Sequence, residues 1–415
     1  MQYVDELMGL ETNFDIIHRV IRLGDTDACM YLIDGFCKDE LMQKILQYLM
    51  DLKAEDFPKD AHEMSKIAIP YVEVDLDDTW EKILGALLSG VFVLLLDGYE
   101  KAVLIDARTY PTRGVEEPDK DKVLRGSKDG FVETVVFNTA LIRRRIRSTD
   151  LHMEMLNAGE NSRTDIVLCY MESRVDPKLL TQIRERIRSI QVDALAMNQE
   201  SLAECLYQRK WYNPFPKFKY TERPDTAAAQ VLEGNLVILV DNSPSAMILP
   251  TTIFDVVEEA DDYYFPPVTG TYLRLTRFLI ALLTYFVTPT YLLLMNHRMW
   301  IPENLEFIIL KEDPNVPLIL QFLLLELAID GLRLAAVNTP NMLSTPLSVM
   351  AALVLGEFSV ESGWFSSEVM LAMAFVAIAN YTQANYELGY ALKLMRMLNL
   401  ILKLLFGIWG FIGGM

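Results

Sequence analysis

Residues 87–105, LLSGVFVLLLDGYEKAVLI, and residues 231–249, VLEGNLVILVDNSPSAMIL, align without a gap at an offset of 144, pairing Gly90 with Gly234, Asp97 with Asp241 and Ala102 with Ala246. Each stretch reads as a helix closed by glycine, a buried strand, a tight turn and a second strand. Two related α/β subdomains would explain the match; so would chance likeness of short apolar runs around a polar turn. Working outward, the first subdomain is expected over residues 1–148, ending on a helix from Gly130 to Arg147. The second is expected over 149–258, with a strand at Asp165–Met171 and a helix from Pro177 to about Ser189. Within it lies WYNPFPKFKYTERPD, residues 211–225, where Pro214, Pro216 and Pro224 favour an extended connector over regular structure.

Charge divides the chain. Its formal net charge is −19, yet from Gly270 onward eight Lys/Arg stand against ten Asp/Glu, so −17 belongs to residues 1–269. That acidic part repels nucleic-acid phosphates and anionic lipid headgroups, which argues against either as its general partner. Arg143-Arg144-Arg145-Ile146-Arg147 is the local exception. As cations at a helix C-terminus these arginines suit the dipole, and they form either a solvated helix end or an interface with lipid phosphates or an acidic neighbouring subunit. Cys29, Cys37, Cys169 and Cys205 show no CxxC spacing, the pattern of reduced and mostly buried thiols. Residues 1–25 carry charges throughout, so no signal peptide is expected there and the N-terminus should stay in the cytoplasm.

Residues 259–415 read as an all-α helical transmembrane bundle. Phe278–Met295 is 18 residues without a charge, and further apolar stretches cover Val316–Val337, Pro346–Val360, Val369–Tyr386 and Leu388–Met415. The chain stops inside the last of these, as a fragment would. Arg274 and Arg277 before the first span, with the acidic loop Asn296–Asn315 after it, place residues 1–270 and the Lys393/Arg396 region on the cytosolic side.

Charges inside the apolar segments are the candidate site. Glu326, Asp330 and Arg333 stand at i, i+4 and i+7 on one helical face, and Glu357 lies in the short third segment. Either Asp330 and Arg333 form a structural pair with Glu326 bound to a neighbouring helix, or the three line an ion or solute path. Pro340 and Pro346 bracket a break that is either a constriction at membrane depth or a surface turn. Asn380, Gln383 and Asn385 are candidates for hydrogen bonds between helices. Four histidines without an HExxH, a phosphate-binding glycine loop or a nucleophile elbow leave no catalytic, cofactor-binding or metal residues to assign. Asp97 and Asp241 occupy equivalent turns, which points to capping or turn formation.

The chain resembles the A-subunit family of spore germinant receptors, the GerA type. The likeness is carried by RGSKDGFVETVVFNTALIRRRIR (125–147), WYNPFPKFKYTERPD (211–225), LEGNLVILVDNSPSAMILPTT (232–252), DDYYFPPVTGTYLRLTR (261–277) and ELAIDGLRLA (326–335). DNSPSAMILPTTIFD, NTPNMLSTPLS and IANYTQANYELGYALK look closest to one branch of it. The resemblance implies a protein of the spore inner membrane with a two-part cytosolic region, and the missing enzyme motifs lead to the expectation of a non-enzymatic membrane subunit. It also implies an oligomer that conducts ions in germination, alone or with other germination membrane proteins. A non-conducting scaffold is the rival reading.

Overall fold

A computed structural model describes residues 2–37, 39–53, 57–109, 126–207, 210–311, 313–339, 345, 349–383 and 385–414. By internal contacts the chain divides into an α/β unit, Met1–Lys210 with Phe218–Thr251, and a helical unit, Trp211–Lys217 with Thr252–Met415.

The α/β unit repeats one order of elements twice. The first copy runs α1 (Gln2–Leu7), β1 (Ile16–Leu23), β2 (Thr26–Ile33), α2 (Asp39–Met50), α3 (Ala61–Ile67), β3 (Val74–Asp77), α4 (Trp80–Leu88), β4 (Phe92–Leu96) and β5 (Ala102–Ile105). The second runs α5 (Val135–Arg145), β6 (Leu151–Ala158), β7 (Thr164–Met171), α6 (Pro177–Arg188), α7 (Gln199–Leu206), β8 (Lys219–Thr221), α8 (Pro224–Leu232), β9 (Leu236–Val240) and β10 (Ala246–Leu249). Both sheets are antiparallel and share one strand order, β1-β2-β4-β5-β3 and β6-β7-β9-β10-β8. The spacing between copies is 135 residues at β1 and β6, 138 at β2 and β7, and 144 from α4 and α8 onward. The likeness therefore spans both subdomains, while only their last thirds align without a gap.

Strand pairs as apolar as VFVLLL and LVILV need cover on both faces. Successive side chains point to opposite sides of the sheet. Leu236, Ile238 and Val240 accordingly pack with α6 and α7, while Val237 and Leu239 pack with α5 and α8. Gly90 and Gly234 end α4 and α8 at φ 96° and 99°, each followed by the hydrogen bonds of a Schellman turn. The Gly90 N–H donates to Leu87 O and Val91 N–H to Ala86 O; the Gly234 and Asn235 N–H groups repeat this to Val231 O and Gln230 O. A Cβ on Gly234 would lie 2.9 Å from the carbonyl oxygen of Arg174. Gly234→Ala should therefore cost about 2 kcal/mol, seen as a lower midpoint in thermal unfolding; an unchanged midpoint would contradict this geometry.

Two expectations are corrected here. The helix expected over Gly130–Arg147 is Val135–Arg145, and with Phe131 it joins the core of the second sheet, while its Ala140 packs with Ile33 and Phe36. The proline-rich connector is only partly irregular: β8 forms within it, and Pro224 opens α8 at a position where a missing N–H costs nothing.

In the helical unit, α9 (Ile253–Val257) and α10 (Asp261–Tyr264) precede α11 (Pro267–Asn296) and α12 (Leu318–Asn338). A π-helical stretch, Ala352–Phe358, α13 (Ser367–Tyr381) and α14 (Tyr386–Gly413) follow. Helices α11 and α14 are long and apolar enough to cross a membrane, although α14 breaks at Gly407, where φ is 61°. Apart from residue 345, the stretch from Pro340 to Pro346 lies outside the described residues. Arg274 pairs with Glu258 at 3.0 Å, and Arg277 pairs with Asp262 at 2.6 Å and Glu259 at 2.9 Å. The two arginines read as an orientation signal are thus neutralised within their own unit.

Candidate functional site

Glu326 and Asp330 are one turn apart on α12, as Lys393 and Arg396 are on α14, so each helix offers two like charges on one face. The faces meet. Glu326, buried, accepts hydrogen bonds from Arg396 Nε at 2.8 Å and from a second guanidinium N–H. Lys393 Nζ lies 3.4 Å from the other Glu326 carboxylate oxygen, donates to the Glu326 backbone carbonyl at 3.2 Å and pairs with Asp330. Two acids and two bases close a neutral cluster in which both Glu326 oxygens have cationic partners.

Arg396 also ties in α11, donating to the Thr284 carbonyl oxygen at 2.9 Å. Pro289 inside α11 removes the N–H that the carbonyl of Tyr285, the residue after Thr284, would accept. One turn along α14, Asn399 donates to the Tyr285 hydroxyl at 3.1 Å, and Lys403, also buried, donates to Leu292 O at 2.9 Å. Lys393, Arg396, Asn399 and Lys403 thus form a polar stripe at spacings of three, three and four along one face of an apolar helix. That spacing is readable in the sequence, where the Lys393/Arg396 region is expected on the cytosolic side; both side chains are buried within the helical unit.

The expected Asp330–Arg333 pair is not formed. Lys393 takes Asp330, and the Arg333 guanidinium stacks over Tyr381 and Tyr390, 5.0 and 5.2 Å from their ring centres. Glu357 is exposed on the π-helical stretch and is not among the residues that meet Glu326. Asn385 caps α14 by accepting the Leu388 N–H at 3.1 Å, a bond within its own helix. Asn380 Oδ1 and Gln383 Nε2 are buried with no hydrogen-bond partner among the described residues. The link between α12 and α13 comes from Gln321, which accepts the Ser366 N–H at 2.9 Å.

The arginine cluster of the α/β unit divides by helical position. Arg143 is buried and holds Asp15 through two hydrogen bonds of 2.8 and 3.1 Å, with a third donated to Leu151 O at 3.1 Å. Beside it, Asn13 Oδ1 accepts the Met153 N–H at 2.6 Å, so the segment before β1 is bonded to β6. Arg143 is therefore an internal tie between subdomains and no longer an interface candidate. Arg145 pairs with Asp129 at 2.6 Å. Burial raises the Asp129 carboxyl, but its bonds to Arg145 and Ser127 prevail and hold it below the usual carboxylate range. Arg144 and Arg147 are exposed. Asp241 accepts the Val135 N–H at 3.1 Å, a capping role for α5 as its turn position suggested. Among the described residues no group of acids, histidines and cysteines could hold a metal ion.

A family model described as Bacillus/Clostridium GerA spore germination protein matches residues 2–415. Stage V sporulation protein AF of Bacillus subtilis (strain 168) is 38% identical over 415 residues, covering 100% of this chain and 84% of that protein. Spore germination protein KA of the same organism is 27% identical over 410 residues, covering 96% and 74%. The crystal structure of the N-terminal domain of the A subunit of the Bacillus megaterium spore germinant receptor GerK3 aligns at a TM-score of 0.47 and 27% identity, covering 61% of this chain and 93% of that one.

Proposed function

The chain belongs to the GerA spore germination family, and on that premise we propose that it is a multi-pass membrane subunit of a germination complex, assembled with copies of itself around an ion path. The observation that carries the reading is the incomplete cover of the α12 charges. Asp330 keeps 32% of its side-chain surface and Arg333 is only half buried, whereas Glu326 is sealed. A charge at the centre of a bilayer costs about 2.5–3.5 kcal/mol even on lenient scales, so Asp330 and Arg333 call for water or a neighbouring subunit. A closed ring of copies supplies both. Glu326 and Arg396 then act as the structural lock of each subunit, and Asp330 and Arg333 face the path.

The acidic α/β unit is the assembling and coupling part, cytosolic and acting with other germination membrane proteins at the spore inner membrane. Exposed Arg144 and Arg147 are its candidate contacts to an acidic neighbour or lipid phosphate. The sealing of Glu326 favours a second reading, a non-conducting scaffold, if protein also covers Asp330 and Arg333 in the assembly. Particle symmetry in detergent separates a ring from a single copy: rotational averages with a central axis are expected, and a monomer would overturn the proposal. For orientation, single cysteines at Ser148 and Asn304 should label from opposite sides of sealed vesicles. Equal protection of the two would reject this arrangement.

A further inference from the structure

The first sheet ends in two open edges of opposite charge. From Ile17 to Arg22 no described strand pairs with the outer side of β1, and none pairs with the outer side of β3. β1 carries His18, Arg19 and Arg22, all exposed, with Val20 60% exposed among them. β3 carries Asp75, exposed, and Asp77, and exposed Glu73 precedes it. Neither Arg19 nor Asp75 forms an ion pair with a described residue, while Arg22 lies 4.0 Å from Asp27 with both side chains largely in solvent, and Asp77 holds Lys82 at 3.0 Å.

Backbone geometry matches the charges. Asp15 O accepts the Asp34 N–H at 2.8 Å, and Glu73 O accepts the Asp106 N–H at 3.0 Å. Bonding alternates along an antiparallel ladder, so the backbone groups of His18, Val20 and Arg22 point away from β2, and those of Val74 and Leu76 away from β5. The registers continue as rows across the five strands. His18, Tyr31, Val93, Leu104 and Asp75 form one row; Arg19, Met30, Leu94, Val103 and Leu76 form the next, on the opposite face. Because every step from β1 through β2, β4 and β5 to β3 is antiparallel, β1 and β3 run in the same direction.

We propose that β1 of one copy of this chain pairs with β3 of the next, a parallel junction that continues the first sheet from subunit to subunit; this rests on the self-assembly proposed above and names its surface. With the rows kept level, His18 falls beside Asp75 on one face and Arg19 beside Leu76 on the other. Charge selects this pairing over the alternatives. Two β1 edges would set His18, Arg19 and Arg22 against their own copies, and two β3 edges would do the same for Glu73, Asp75 and Asp77. Like charges across a strand pair oppose it, which is how edge charges keep strands apart. Unlike edges attract, and their contact is head-to-tail, the kind that builds rings where two-fold pairing builds dimers.

The test is crosslinking of the full chain in detergent by a short bismaleimide, with Arg19→Cys and Leu76→Cys in one chain. Dimers and longer ladders are expected, absent from the parent and from either single variant. Val20→Cys with Asp75→Cys, at exposed positions of the other face, is an independent pair that should behave alike. His18→Glu added to the first pair sets two carboxylates side by side and should slow crosslinking about tenfold, and Asp75→Lys added in turn should restore most of it. Thermal unfolding checks that each variant is folded as the parent is. Assembled particles that give no ladder with either pair would overturn the edge junction and leave self-assembly standing, whereas a monomeric parent would remove both. Dimers from Arg19→Cys alone would mean two-fold pairing and overturn the proposal too, as would a ladder whose rate His18→Glu leaves unchanged.

Discussion

Replacing Arg396 by methionine should be the most damaging single change in the helical unit. Glu326 would keep only Lys393, 3.4 Å away and shared with Asp330, and the Thr284 carbonyl would lose the guanidinium that ties α11 to α14. Removing one partner of a buried ion pair leaves an uncompensated charge and costs about 3–5 kcal/mol. Detergent-solubilised Arg396→Met should therefore lose its fold at markedly lower temperature. The double variant Glu326→Gln with Arg396→Met removes both charges and should recover most of the loss, because the penalty belongs to the stranded carboxylate. Equal melting of the single variant and the parent would mean that the cluster is not a lock. A double variant no better than Arg396→Met would locate the cost in packing.

The second large effect is expected in the α/β unit. Arg143→Ala strands Asp15, whose side chain is 2% exposed, and frees the carbonyl of Leu151. A loss of about 3–5 kcal/mol follows from the same physics, together with faster hydrogen exchange at the Met153 amide, which bonds to Asn13 in the same tie. Exposed Arg147 is the control, and Arg147→Ala should stay within about 0.5 kcal/mol of the parent. Similar melting of the two arginine variants would exclude the internal tie.

The difference between Arg143 and Arg147 illustrates what the sequence could carry. Four arginines within five residues read as one basic patch. At about 100° per residue, however, a helix sends neighbours in different directions, and which of them meets an acid depends on a segment 128 residues away. Hairpins β4–β5 and β9–β10 were legible because glycine ends, apolar runs and turns fall in one register. The rest of the duplication was not, because the spacing between copies changes from 135 to 138 to 144. Chain order also suggested that α5 closes the first subdomain, whereas its apolar face covers the second sheet. In the helical unit the charged face of α12 was visible in the spacing of Glu326, Asp330 and Arg333. Its partners were not, since Lys393 and Arg396 lie 67 and 70 residues further on, and two tyrosines compete for Arg333.

The central claim is that copies of this chain surround an ion path bordered by Asp330 and Arg333, and reversal potential across a planar bilayer under a salt gradient tests it most directly. The protein should conduct. Asp330→Asn should shift its selectivity away from cations and Arg333→Gln towards them, because each removes a fixed charge of opposite sign beside the permeating ion. An assembled protein that carries no current, or one whose reversal potential is the same in the parent and both variants, would contradict the account.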